Sequence, residues 1–159
     1  MATAQSTYST SPAAGLPGQI ANEESANIIT KIVETSGGIN FGQPAARSAT
    51  SSKDNSCRLM VSGAAFLGIA VINRAVAPDA SDPDNYAQYS AAALMTEGSV
   101  FVTVGEAVVP GDDVYWNTST LKYTTTSGGS NVAIPDATFE TATAADGIAI
   151  ISLGNRRTA

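Results

Sequence analysis

The side chains with chemistry to offer are few, and they do not converge. Asp79, Asp82 and Asp84 fall close together in the stretch 77–85, APDASDPDN. Carboxylates so spaced suggest a calcium loop. Such a loop needs ligands at alternate positions, a central glycine and a closing glutamate. That set is incomplete here, and Pro78 and Pro83 interrupt it, so the stretch reads as a solvated, turn-rich loop. Asp112 and Asp113 are an adjacent acid pair that a carboxylate-based hydrolase could use. Neighbouring residues of a strand point to opposite faces, so the two carboxylates do not meet on one substrate as acid and base. The chain has no histidine and a single cysteine, Cys57. Ser-His-Asp and Cys-His catalysis and histidine metal sites are thereby excluded. Cys57 has no intrachain disulfide partner and reads as a small buried residue at the start of a strand. The expectation is a protein that is not an enzyme, with no catalytic residues, no metal and no cofactor.

Charge narrows the partners. Eight basic residues are scattered among 159, only Arg156 and Arg157 adjoin, and the net charge is −6. A nucleic-acid groove needs a basic stripe, and an anionic membrane surface needs the same, so neither partner is expected. Only 14% of residues are charged, against about 25% in ordinary domains. A surface so poor in charge and rich in Ala, Ser, Thr and Gly suits a subunit covered by copies of itself or by a larger partner. No apolar run approaches the ~18 residues of a membrane-spanning helix. The N-terminus lacks the basic and apolar regions of a signal peptide, so synthesis in the cytosol without export by that route is expected.

The elements that must position these residues read as strands. The central stretch is 99–116, SVFVTVGEAVVPGDDVYW. Val100, Val102 and Val104 alternate with Ser99, Phe101 and Thr103, the period of a half-buried strand. Pro110-Gly111 suits a type II turn, with Gly111 taking a positive φ. Val114, Tyr115 and Trp116 resume a strand. Residues 1–26 carry no periodicity, and two prolines and two glycines between Pro12 and Gly18 exclude a helix there. They read as an extended N-terminal arm, with Tyr8, Leu16, Pro17 and Ile20 as candidate anchors on a partner. Residues 27–159 then form one β-rich core.

Within that core, 27–33 (NIITKIV) is the first strand, and 38–41 begins a second. Residues 43–56 read as a long exposed loop, 57–60 as a short strand, and 66–73 (FLGIAVIN) as a strand apolar on both faces. Gly68 inside it signals a bulge or a close backbone approach. Tyr86 and Tyr89 stand three apart before Ala91–Met95, which allows one or two helical turns or an irregular connector. Residues 117–120 make a hairpin turn into 121–126. Residues 132–134 and 137–141 are short strands, and 148–153 closes the chain. The fold class is all-β, with little helix.

These pieces in this order resemble a known family. The strand followed by VxVGEAVxPGDxVYW, the hairpin, the Gly/Ser tip and IPxAxFxTATAADGIAIISL are similar to the small head proteins of tailed bacteriophages. These are the capsid cement or decoration proteins, including the structural cement proteins and the lambda-type head decoration proteins. GLPGQIAN, VETSGGINFGQPA and FLGIAVINRAV fit the same family, so the resemblance spans about Leu16 to Leu153. It implies a compact β-barrel or β-tulip-like core with an N-terminal arm. It implies a homo-oligomer, a trimer in the lambda-type proteins, bound to the major capsid protein on the outer surface of the virion. There it would sit over joints between capsid proteins and hold the shell against the pressure of packaged DNA. Tyr86, Tyr89, Tyr115 and Trp116 are candidate oligomer or capsid contacts. A rival reading takes Tyr86, Tyr89, Tyr115, Trp116 and Tyr123 as the aromatic platform of a carbohydrate- or receptor-binding domain on a phage particle.

Overall fold

Val100, Val102 and Val104 are fully buried, and the strand that carries the first two and ends just before the third is the axis of the molecule. In a computed structural model, which describes residues 15–22, 26–50, 54–73 and 82–154, strand β7 runs Ala91–Thr103 over 13 residues. At about 3.3 Å per residue it is roughly 43 Å long, long enough to serve two separate sets of neighbours. Among the described residues there is no helix. The all-β expectation stands.

The first half of β7 belongs to one ring. On one side it pairs antiparallel with β1 (Asn27–Val33), from Ile28 opposite Met95 to Ile32 opposite Ala91. On the other it pairs with β5 (Phe66–Ala70), Ile69 opposite Met95. β5 pairs with β3 (Pro44–Arg47), and β3 with β4 (Ser56–Leu59). β4 then pairs in parallel with β1, Val33 opposite Cys57, which closes the ring.

The second half of β7 belongs to another ring. It pairs with β11 (Ile148–Leu153), from Gly98 opposite Leu153 to Thr103 opposite Ile148. β11 pairs with β10 (Asn131–Phe139), β10 with β8 (Asp113–Asn117), and β8 with β9 (Lys122–Thr124). A parallel bridge between Tyr123 and Val104, with the Gly105 amide donating to the Tyr123 carbonyl at 2.7 Å, returns this ring to β7. Two barrel-like rings therefore share one strand, and each closes on a single parallel contact. Closure removes exposed sheet edges, which otherwise invite aggregation. A small ribbon of β2 (Ile39–Asn40) and β6 (Asn85–Tyr86) lies beside them.

Strand pairing overrides weak local preference at two departures from the sequence reading. Residues 43–56 are not one exposed loop, because Pro44–Arg47 is strand β3 with Ala45 and Ala46 fully buried. Ala91–Met95 is neither helical nor irregular. It is the opening of β7, with Ala92, Ala93, Leu94 and Met95 all buried. Alanine carries little β signal, and these alanines are strand because neighbouring strands pair with them. Gly68 does both things expected of it. The register slips at β3–β5, and a Cβ at Gly68 would stand 2.6 Å from the Met95 carbonyl oxygen.

Candidate functional site

The described part of the N-terminal arm lies along β7. The Gly18 amide donates to the Phe101 carbonyl at 2.8 Å, the Phe101 amide to the Gln19 carbonyl at 2.9 Å, and the Ala21 amide to the Ser99 carbonyl at 2.9 Å. This strap runs antiparallel to β7, as β1 does along the other half, and Ile20 bridges Val100. The path changes strand partners at Gly98, where φ is 123° and a Cβ would stand 3.1 Å from that of Ala26. A further bond from the Ile72 amide to the Gly18 carbonyl, 2.8 Å, ties the strap to the end of β5. The strap thus spans the seam between the rings. Its backbone is committed inward while Leu16 is 58% and Ile20 39% exposed. Pro17 is half-buried. Tyr8 lies outside the described residues.

Beside the strap, the seam opens into a groove of about 360 Å³ lined by Leu16, Pro17, Phe41, Trp116, Leu121 and Tyr123 among others. Three of its lining rings belong to aromatic pairs. Trp116 meets Tyr123 edge-on with ring centroids 5.0 Å apart, and Phe41 meets Tyr86 at 5.1 Å. The Tyr86 hydroxyl donates to the Val71 carbonyl at 2.6 Å. Tyr123, from the second ring, donates to the Gly42 carbonyl at 2.8 Å.

These contacts correct the assignment of Tyr86 and Trp116 to the surface. Tyr86 is 2% and Trp116 1% exposed, and both rings pack inside the protomer. An aromatic side chain of that size contributes more to a small core than to a wet surface. With Tyr123 also buried, the aromatic platform of the carbohydrate-binding reading does not form: Tyr115 is half-buried, and of its five rings Tyr89 alone is exposed.

The acidic candidates that the structure describes serve turns and a strand start. Asp112 closes the Pro110-Gly111 turn, its carboxylate accepting the Val109 amide at 3.0 Å. Gly111 has φ 95°, the positive value that the dipeptide requires. Asp113 is exposed at the start of β8. The Asp82 carboxylate accepts the Asp84 amide at 3.3 Å, and Asp79 lies outside the described residues. Among the described residues no cluster of His, Cys, Asp or Glu has metal-holding geometry. Cys57 is buried in β4, and burial pushes its thiol up to about 11, so it is protonated and unreactive at neutral pH.

One carboxylate escaped the sequence reading. Glu106 accepts bonds from Thr124, Thr125 and Thr126 at one oxygen: the Thr124 hydroxyl, the Thr125 amide at 2.6 Å and hydroxyl at 2.9 Å, and the Thr126 amide at 3.0 Å. The Thr124 hydroxyl bond first, then those from Thr125 and Thr126, hold the carboxyl down to about 2 against the opposing effect of burial. So weak a base does no proton transfer near neutral pH. Its role is to pin the end of β9, beside the bridge that closes the second ring. The only signal in the sequence was a run of three threonines, and nothing there pairs it with a residue 18 positions earlier.

The comparisons with known proteins agree with this architecture. A family model described as "Structural cement protein (E217 gp24/Pam3 gp6)" matches residues 4–154. No curated protein matches the chain. Among solved structures, a chain from "The capsid of Myoviridae Phage XM1" is similar, with TM-score 0.71 and 18% identity over 96% of this chain and 98% of that one. At that identity the likeness speaks for the fold. The family match covers nearly the whole length, and the chain belongs to the structural cement protein family of phage capsids.

Proposed function

We propose that this structural cement protein binds the outside of the assembled head, over joints between major capsid proteins, and holds the shell against the pressure of packaged DNA. It does so without catalysis, as a homo-oligomer, which we take to be a trimer. The strap carries the reading. Its backbone is fixed along β7 and across Ile72, while Leu16 and Ile20 face outward. A pre-ordered apolar edge binds a partner at lower entropic cost than a free tail. The net charge of −6 favours an outward position, since contact with packaged DNA would call for basic residues. Leu16, Pro17 and Ile20, and Tyr8 beyond the described residues, are the arm contacts in this reading, with Tyr89 and Tyr115 on the core.

The mechanism is mass action. A ligand that binds the assembled lattice but not loose subunits stabilises it by RT ln(1 + [L]/Kd) per site, about 4 kcal/mol at a thousandfold excess over Kd. Repetition over many sites multiplies the effect. The test is co-sedimentation with capsids that lack the decoration. Full-length protein should saturate them and raise the temperature at which the heads lose DNA. Leu16→Ala with Ile20→Ala should weaken binding, since each buried aliphatic side chain contributes about 1.5–3 kcal/mol. Equal occupancy by parent and double variant at limiting concentration would remove the strap from the binding surface. Light scattering that gives the 16.1 kDa monomer mass at micromolar concentration would count against the oligomer.

A further inference from the structure

Two turns in this chain share one geometry and are built from opposite kinds of residue. In Val109–Asp112 the fourth amide donates to the first carbonyl at 3.3 Å, Pro110 stands second, and Gly111 stands third with φ 95°. In Ala87–Ser90 the same bond forms at 3.1 Å, Gln88 stands second, and Tyr89 stands third with φ 67°. The third position of such a turn suits Gly or Asn, because a Cβ crowds the backbone there. The other described non-glycine residues with positive φ are Leu121, Asp136 and Asp146. Aspartate tolerates that region, and Leu121 ends a hairpin turn whose amides Asn117 caps.

Tyr89 buries little of its ring in its own fold in return. Its side chain is 75% exposed, the most of any large hydrophobic residue described. Its base is nevertheless rigid. The Tyr89 amide donates to the Val33 carbonyl at 2.8 Å, and the Val33 amide to the Ser90 carbonyl at 3.0 Å. The Ser90 hydroxyl donates to Ala87 at 2.7 Å, and the Gln88 side-chain amide to Glu34 at 3.0 Å. The turn Ala87–Ser90 itself carries no charge. Centres of protein interfaces are depleted in charge and enriched in tyrosine.

We propose that Tyr89 is a preset anchor for the capsid shell. Its ring enters a socket with apolar walls and one polar group for the phenol, and the left-handed backbone is strain retained for that purpose. The inference rests on the reading of the protein as a capsid-binding cement and adds the residue and the chemistry of its socket. The partner is the shell and not a second copy. Permanent contacts between copies are broad and apolar, whereas Tyr89 is a single ring flanked by Gln88 and Ser90, the form of a hot spot within a polar rim.

The test uses the full chain and Tyr89→Asn, which removes the ring and suits the backbone. Its melting temperature should rise by about 2–4 °C, in line with relief of strain in a chain of this size. Its mass by light scattering should equal the parent's. Its Kd for undecorated capsids should weaken by about 30-fold or more. Tyr89→Phe should retain part of that affinity. Parent-like binding by the Asn variant, in an assay where the parent binds, would overturn the anchor and leave the cement reading intact. A lowered melting temperature would overturn the strain, and a changed mass would reassign the ring to a copy–copy contact. A parent that itself fails to bind capsids would defeat the cement reading, and this inference with it.

Discussion

The Tyr123 hydroxyl donates a 2.8 Å hydrogen bond to the Gly42 carbonyl across 81 residues of sequence. Tyr123 belongs to the strand that closes the second ring, and Gly42 to the turn that enters β3 of the first. Both residues are buried, so the bond ties the rings together where water does not compete for it.

Tyr123→Phe should therefore destabilise the protein by about 1–3 kcal/mol, through the buried carbonyl left without its donor. Burial pushes the Tyr123 phenol well above its usual 10. A raised pKa means stability fully present below pH 10 and lost as pH rises beyond it, because the unfolded phenol ionises first. Melting temperature measured from pH 8 to 11 should fall more steeply in the parent than in the Phe variant. Equal slopes would show that Tyr123 is not the group responsible.

Gly111→Val should cost of order 1–3 kcal/mol, since φ 95° excludes a β-branched side chain on backbone grounds alone. A Cβ there meets no atom within 4 Å, so steric overlap does not confuse the result. Chemical denaturation gives the number directly, and a variant within about a degree of the parent in Tm would contradict it.

Glu106 predicts an acid limb. Its carboxyl is held down to about 2 from a usual 4.5. The stability it contributes is present above pH 4.5 and lost as pH falls from there through 2, as the carboxylate protonates and releases the threonine donors. Glu106→Gln should flatten the stability profile over that window. The hydrogen-exchange protection factors of the Thr125 and Thr126 amides, taken against the intrinsic rate at each pH, should fall first as the parent is acidified. Unchanged protection there would refute the latch.

The strap gives a truncation test. A chain starting at Gly15 retains the bonds from Gly18, Gln19 and Ala21 to β7 and Ile72. A chain starting at residue 23 loses them and bares the edge of β7 between Gly98 and Phe101. Its melting temperature should be several degrees lower than that of the Gly15 chain. Identical melting curves would mean that the strap is held without stabilising the core.

Where side-chain pattern alone sets local structure, the sequence was sufficient. The strand at 27–33, the closing strand at 148–153, the alternation of Val100, Val102 and Val104, and the positive φ of Gly111 all follow from β-branching, period two and the chemistry of Pro-Gly. The burial of Cys57 and the slip at Gly68 were legible for the same reason. Tertiary structure decided the rest. Ala45, Ala46 and Ala91–Ala93 carry almost no preference of their own and become strands because neighbouring strands pair with them. Tyr86 and Trp116 have the same composition signal whether they face a core or a partner, and packing against Phe41 and Tyr123 turned them inward. Glu106 and its three threonines, Tyr123 and Gly42, and the strap on β7 join positions far apart in the chain. Such pairings exist only after the long strand β7 has been given its two sets of neighbours.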